Sequence, residues 1–221
     1  ERYCLWIEES DLSETLSIEP IKKRIEGVRT MRLTSTKQAT VELASQPHRF
    51  GEVRQKGAET VIIVPSVSTE SRDYLPVGYL TVGTIVSNLA FALYDAPLWS
   101  MALIASKLHR IWIATVCGKM RIHYRYSNTL GWNTFPVPKL TEKNKADLTR
   151  CAEDILLARE AHFPATIADL YNPESMPDNL RRAHDRNDEV LERIYIGRTF
   201  KNDTERLEKL FELYTKMTAK A

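Results

Sequence analysis

The feature that most constrains this chain is a change of hydrophobic period near residues 136–139. Before it, β-branched runs and period-two alternation are interleaved with helical segments; after it, apolar residues recur at helical spacing. A chain of 221 residues patterned in this way is expected to form an α+β domain with a mixed sheet over residues 1–139, followed by a helical bundle over residues 140–221. The clearest strand is Thr60-Val61-Ile62-Ile63-Val64, β-branched throughout and stopped by Pro65.

Other elements follow by the same reading. Tyr3-Cys4-Leu5-Trp6-Ile7 has the pattern of a short buried strand, and residues 77–82 and 85–94 those of two further strands. Pro20 suits the start of a helix whose apolar face is Ile21, Ile25, Val28 and Met31 or Arg32. Its other face carries Lys22, Lys23, Arg24 and Arg29, either solvated or lying along a polyanion. Residues 37–58, with Pro47, Gly51 and Gly57, read as an irregular connection. Residues 98–116 are densely apolar and predict one core helix, ended by Gly118. In the tail, Thr141 can cap a helix bearing Leu148, Ala152, Ile155, Leu156 and Arg159. A second helix runs through Leu180, His184, Val190, Leu191 and Ile194, and a third over residues 203–216 with Leu207, Leu210, Phe211 and Tyr214 as its stripe.

Composition excludes several classes. Hydrophobic residues at 43% are too many for a disordered chain, and no apolar run approaches the ~20 residues that span a bilayer. Cys4, Cys117 and Cys151 are far apart and contain no C-x-x-C pair, which fits reduced, buried thiols in a cytoplasmic protein and excludes a cysteine-based zinc module. The opening Glu1-Arg2-Tyr3-Cys4 has neither an initiator Met nor a signal-peptide pattern, as expected of a piece of a longer polypeptide.

Charge is unevenly spread. Residues 22–140 contain 16 Lys or Arg against seven Asp or Glu, and no carboxylate occurs from Ala96 to Thr141. Lys107, Arg110, Lys119, Arg121, Arg125 and Lys139 fall in that acid-free stretch. Solvated surfaces intersperse both signs, so the stretch points either to a polyanionic partner or to a buried segment that lacks acids.

Motifs for chemistry are missing. There is no P-loop, G-x-G fingerprint, G-x-S-x-G elbow or H-E-x-x-H, and the eight glycines are isolated. His48, His109, His123, His162 and His184 have no metal-ligand spacing, and His109 and His184 read as structural residues within helices. What remains is a set of polar and basic groups suited to recognition. Ser66 to Arg72 forms a polar loop, and Ser87-Asn88 lies in the segment 85–94. Lys119-Met120-Arg121-Ile122-His123-Tyr124-Arg125-Tyr126 alternates as a strand would, placing Lys119, Arg121, His123 and Arg125 on one face. On that reading Arg121 and His123 stand about 7 Å apart, within reach of one base pair and its neighbour. Arg can bond guanine and Asn adenine through two contacts each, while Tyr124, Arg125, Tyr126, Ser127 and Asn128 offer phosphate-type donors.

The motifs are also specific enough to suggest a family. Val64-Pro65-Ser66-Val67-Ser68-Thr69-Glu70-Ser71-Arg72 followed by Tyr74-Leu75-Pro76 resembles a signature of the MmeI-type restriction–modification enzymes. Gly118 to Asn128 followed by Asn133-Thr134-Phe135-Pro136 is similar to a second signature, with Trp132 where the family usually has Tyr. Ala168-Asp169-Leu170-Tyr171-Asn172-Pro173, Met176-Pro177, Ala183-His184 and Leu210 to Tyr214 resemble that family's C-terminal helical region. The resemblance implies a DNA target-recognition domain over 1–139 and a C-terminal helical domain over 140–221. The parent polypeptide would be an S-adenosylmethionine-dependent adenine-N6 DNA methyltransferase, in many members fused to a nuclease. The Asn/Asp-Pro-Pro-Tyr catalytic motif is not in this chain, since Asn172-Pro173-Glu174-Ser175 does not match it. This chain would then carry no catalytic residue and hold no cofactor, and its partners would be duplex DNA and the methyltransferase domain of the same polypeptide.

By motif alignment the base-reading positions are Ser66, Asn88 with Leu89, and the pair Arg121 and His123. Arg72, Lys119, Arg125, Tyr126 and Ser127 would hold the DNA backbone. Each has a plainer alternative: Arg72 could pair with Glu70 or Asp73, and Asn88 could bond backbone within a strand. Two rival readings of the whole chain are a protein-interaction module with a basic face and a specificity subunit of a multisubunit restriction system. The second usually shows two half-repeats, and none occurs here.

Overall fold

The computed structural model describes residues 3–55 and 57–219; Glu1 and Arg2 of the opening segment lie outside them. The chain divides into two compact units, Glu1–Arg54 and Gln55–Ala221.

The first unit is helical: α1 (Leu12–Ser17), α2 (Glu19–Leu33) and α3 (Gln38–Glu42). Pro20 lies in the first turn of α2, where its missing N–H interrupts no intrahelical bond. Ile25 and Arg32 are the buried positions of that helix. The Arg32 guanidinium donates to the carbonyls of Leu43 at 2.8 Å, Gln46 at 2.9 Å and Arg49 at 2.7 Å. These charge-assisted bonds fold the expected irregular connection back onto α2 and shape part of it into α3 and a 3-10 turn. Residues 3–7 correct the sequence expectation, because they form no strand and Tyr3, Cys4, Leu5 and Trp6 are exposed. Apolar character alone cannot make a strand without a partner for its N–H and C=O groups.

The second unit contains two antiparallel three-stranded sheets and six helices among the described residues. The strands are β1 (Val61–Pro65), β2 (Val67–Thr69), β3 (Gly78–Leu80), β4 (Ala90–Tyr94), β5 (Lys119–Met120) and β6 (His123–Arg125). One sheet has the order β3-β1-β4 and the other β2-β6-β5. Only Ser66 separates β1 from β2, so a single extended run leaves one sheet and enters the other at that residue. β4 begins at Ala90, and the expected strand over 85–94 is a loop and turn as far as Leu89.

The helices are α4 (Trp99–Ile104), α5 (Lys107–Val116), α6 (Glu142–Glu160), α7 (Ile167–Leu170), α8 (Asp178–Ile196) and α9 (Asp203–Thr218). The one helix expected over 98–116 is two. The Ser106 hydroxyl donates to Leu103 O at 2.7 Å and accepts from His109 N–H at 3.2 Å, which ends one helix and caps the next. The expected Thr141 cap forms a capping box with Asn144.

There is no break in packing at residue 139 or 140. Leu148, Ala152, Ile155, Leu180, Leu191 and Leu210 of the tail share one core with Val64, Tyr74, Met101, Leu108 and Trp112. Polar bonds tie the same two stretches together. Tyr74 donates to Asp185 at 2.8 Å and Asp188 at 3.0 Å, Asn187 to Ala102 O at 2.8 Å, and Tyr195 to Pro136 O at 2.8 Å. Arg159, which fell on the apolar stripe of α6, is buried there; it bonds Tyr171 and donates to Val77 O at 2.6 Å. Cys117 and Cys151 are buried as expected, whereas Cys4 is exposed.

Candidate nucleic-acid interface

Three segments far apart in sequence meet at the β2-β6-β5 sheet. The Ser66 hydroxyl donates to Leu89 O at 2.8 Å, and the Ser66 N–H donates to the same carbonyl at 3.0 Å. Ser66 O accepts from Tyr126 N–H at 2.9 Å. Ser66 thereby clamps the 87–89 turn on one side and the end of β6 on the other. Across the sheet, Glu70 N–H donates to Ile122 O at 3.4 Å and the Glu70 carboxylate accepts from Lys119 Nζ at 3.0 Å.

The register divides the side chains between two faces. Val67 pairs with Arg125, Ser68 with Tyr124 and Thr69 with His123; on the other edge Lys119 pairs with Tyr124 and Met120 with His123. Paired residues project to the same side and neighbours along a strand to opposite sides. Ser68, Tyr124 and Lys119 therefore share one face, and Val67, Thr69, Met120, His123 and Arg125 the other. Burial agrees: Ser68 and Tyr124 are buried, while Val67, Met120 and Arg125 are exposed and Thr69 and His123 half-buried. The second face looks to solvent.

This arrangement changes the expected cationic row in two ways. Residues 121–122 form the turn of a tight hairpin, and Arg121 takes φ 57. The continuous strand expected over 119–126 is interrupted there, so Arg121 and His123 do not leave one strand face 7 Å apart. Lys119 shares the face of Tyr124 but stays exposed at the sheet edge, its ammonium over the Tyr124 ring at 5.5 Å and bonded to Glu70, whose carboxylate pushes the lysine pKa up. His123 and Arg125 remain together on the outward face.

The other expected contacts are distributed as follows. Asn88 and Leu89 are exposed in the turn that Ser66 holds. Arg72 is half-buried, and both of its expected acidic partners are paired elsewhere, Glu70 with Lys119 and Asp73 with Arg181 at 2.9 Å. Ser127 is half-buried and its hydroxyl accepts from Leu130 N–H, capping a π-helical turn at Asn128–Trp132. Tyr126 is corrected: it is buried, with its hydroxyl 3.0 Å from His109 Nε2, and cannot reach an external phosphate.

Beneath the interface, the buried groups are held by packing. His109 stacks edge-on against Phe135 with ring centroids 4.6 Å apart, and burial pulls its pKa down to about 3. His184 is also held well below its ordinary pKa, first by burial and then by the Arg159 charge. Burial raises the Asp188 carboxyl to about 6 against the opposing pull of Lys107. Among the described residues no group of three or more His, Cys, Asp or Glu side chains is placed to hold a metal ion, and no helix is long and apolar enough to cross a membrane.

The residues missed from sequence are the outward-facing Val67, Thr69 and Met120. Their signal lies in the pairing register, which one strand's alternation does not contain.

Fold and surface together define a recognition module, an exposed sheet face bearing His123 and Arg125 and braced by helices on an α+β scaffold. Residues 1–139 match the family model for the MmeI target recognition domain, and residues 140–221 match that for the MmeI C-terminal domain. DNA methyltransferase A of Bacillus subtilis (strain 168) is 39% identical over 217 residues, covering 98% of this chain and 24% of that protein. The solved structure of the type IIL restriction–modification enzyme MmeI in complex with DNA superposes with a TM-score of 0.91 at 32% identity, covering 98% of this chain and 29% of that one. The chain thus belongs to the MmeI family, and it spans 24% and 29% of the length of these two relatives.

Proposed function

We propose that this chain reads a specific duplex DNA sequence on behalf of a methyltransferase domain in the same polypeptide. The observation that carries the reading is the outward sheet face bearing His123 and Arg125, in a stretch free of carboxylates from Ala96 to Thr141. A face of this kind attracts phosphates, and its strand width suits the major groove. In this reading His123, Arg121, Asn88 and Leu89 meet base edges, Arg125 and Arg72 hold phosphates, and Ser66 positions the 87–89 turn. Lys119 and Ser127 join the backbone contacts from the rim. Residues 1–139 carry the reading, and residues 140–221 brace it through the shared core.

The whole polypeptide would transfer a methyl group from S-adenosylmethionine to the N6 of an adenine flipped from the duplex. The relative named DNA methyltransferase A and the enzyme solved with DNA support this assignment. Binding to duplex DNA as salt is raised tests it. Contact with four or five phosphates gives a log–log slope of roughly −4, from about −0.9 per phosphate. Affinity that does not change between low and physiological salt would overturn it.

A further inference from the structure

The outward face of the β2-β6-β5 sheet is not purely cationic. Around His123 and Arg125 it carries Val67 and Met120, both exposed, and the methyl-bearing Thr69. Met120 is 51% exposed although it sits in a strand and pairs directly with His123. Thr69 is the partner of His123 on its other side, so Thr69, His123 and Met120 form one row across three strands.

A groove-facing surface built only to hold phosphates gains nothing from methyl groups. An apolar side chain brought against DNA strips water from polar groups at a cost unless it meets an apolar one. In the major groove a base pair presents acceptors, donors and one apolar group, the 5-methyl of thymine. A row in which a polar ring stands beside an exposed thioether therefore matches an A·T pair: the ring meets the hydrogen-bonding edge and the thioether meets the methyl.

We infer that Met120 is a specificity-determining residue, packing on the 5-methyl group of a thymine within the recognised sequence, beside the ring of His123. The inference rests on the proposed reading of duplex DNA and adds to it a base class that the target must contain.

Replacing thymine by deoxyuridine removes that methyl and nothing else from the pair. Duplexes enriched by the protein from a random pool are resynthesised with each thymine in turn replaced by deoxyuridine, and their affinities compared. At one position the wild-type protein should bind the uracil duplex roughly four-fold more weakly, the equivalent of about 0.8 kcal/mol for one buried methyl group. Met120→Ala should bind the two duplexes equally, and Met120→Leu, which keeps an apolar end, should retain the preference. Because Met120 is exposed, neither variant removes a core contact, and their melting temperatures should match the wild type.

Equal binding of thymine and uracil duplexes at every position by the wild type overturns the thymine contact while leaving DNA reading intact. An undiminished preference in Met120→Ala overturns the assignment to Met120. Failure to enrich any sequence from the pool overturns the reading of DNA itself, and this inference with it.

Discussion

Tyr74 and His184 stack with ring centroids 4.1 Å apart and planes 20° from parallel. One belongs to the loop after β2 and the other to the first half of α8, so the contact joins the sheet-bearing part of the second unit to its helical tail. The Tyr74 hydroxyl continues past the stack to Asp185 and the buried Asp188, and Lys107 N–H donates to Asp188 at 2.9 Å. The segment at residues 66–72, which contains β2, thus leads directly into a stretch anchored on the helical tail.

Tyr74→Phe keeps the stack and deletes the hydroxyl. It leaves the buried Asp188 carboxylate with one donor fewer, and losing a bond to a buried charge costs about 1–3 kcal/mol. Chemical denaturation should show a loss of that size with an unchanged m-value. A neutral result would mean that water replaces the hydroxyl and that the anchor is the stack alone.

Acid should weaken the fold through its buried histidines. The folded pKa of His109 is depressed to about 3 from an ordinary value near 6.5, so its contribution is complete above the unfolded value and is lost as pH falls between the two. At pH 5 the loss is about 2 kcal/mol for that one ring. His184 acts in the same direction. Asp188 acts oppositely: its folded pKa is raised to about 6, so it favours the fold as pH drops from 6 toward 4 and offsets part of the histidine effect. His109→Gln should lower stability at pH 7.5, through the altered contact with Tyr126, but flatten its decline toward pH 5. Parallel pH profiles for variant and wild type would remove His109 from this role.

The hairpin tip offers a test in which stability and function move apart. Arg121 occupies a left-handed backbone conformation that costs an L-residue about 1–2 kcal/mol and glycine little. Arg121→Gly should therefore leave the melting temperature unchanged or raise it, while DNA affinity falls by several-fold. If stability rises and affinity is unaffected, the strained arginine has no role in binding.

Arg125 is expected to act without regard to sequence. Arg125→Ala should weaken binding of every duplex about equally and make the salt slope shallower by about 0.9, one phosphate's share. A change in the preferred sequence would instead make Arg125 a base reader.

Much of the scaffold was legible in the sequence because it rests on local rules. The β-branched run at residues 60–64, Pro20 and the Thr141 cap each state their structure within a few residues. The strand at residues 3–7 failed because strand formation requires a partner elsewhere in the chain. The hairpin at residues 119–125 was misread because its turn is Arg121-Ile122, without the Gly, Asn or Asp that normally marks one. That error moved Arg121 and Lys119 off the face they were assigned to. Tyr126 is misplaced for a different reason: its hydroxyl suggests a phosphate donor, although alternation sets it on the face opposite Arg125, and its packing on His109 and Phe91 shows that it faces the core.

Base reading by the outward face around His123 is what most needs a direct test. The direct measurement is the sequence motif enriched from a random duplex pool by the wild-type protein and by His123→Asn, where the new amide favours adenine. The account predicts one motif for each protein, differing at a single position, with discrimination there changed by about 1–3 kcal/mol. An identical motif from both proteins would contradict it.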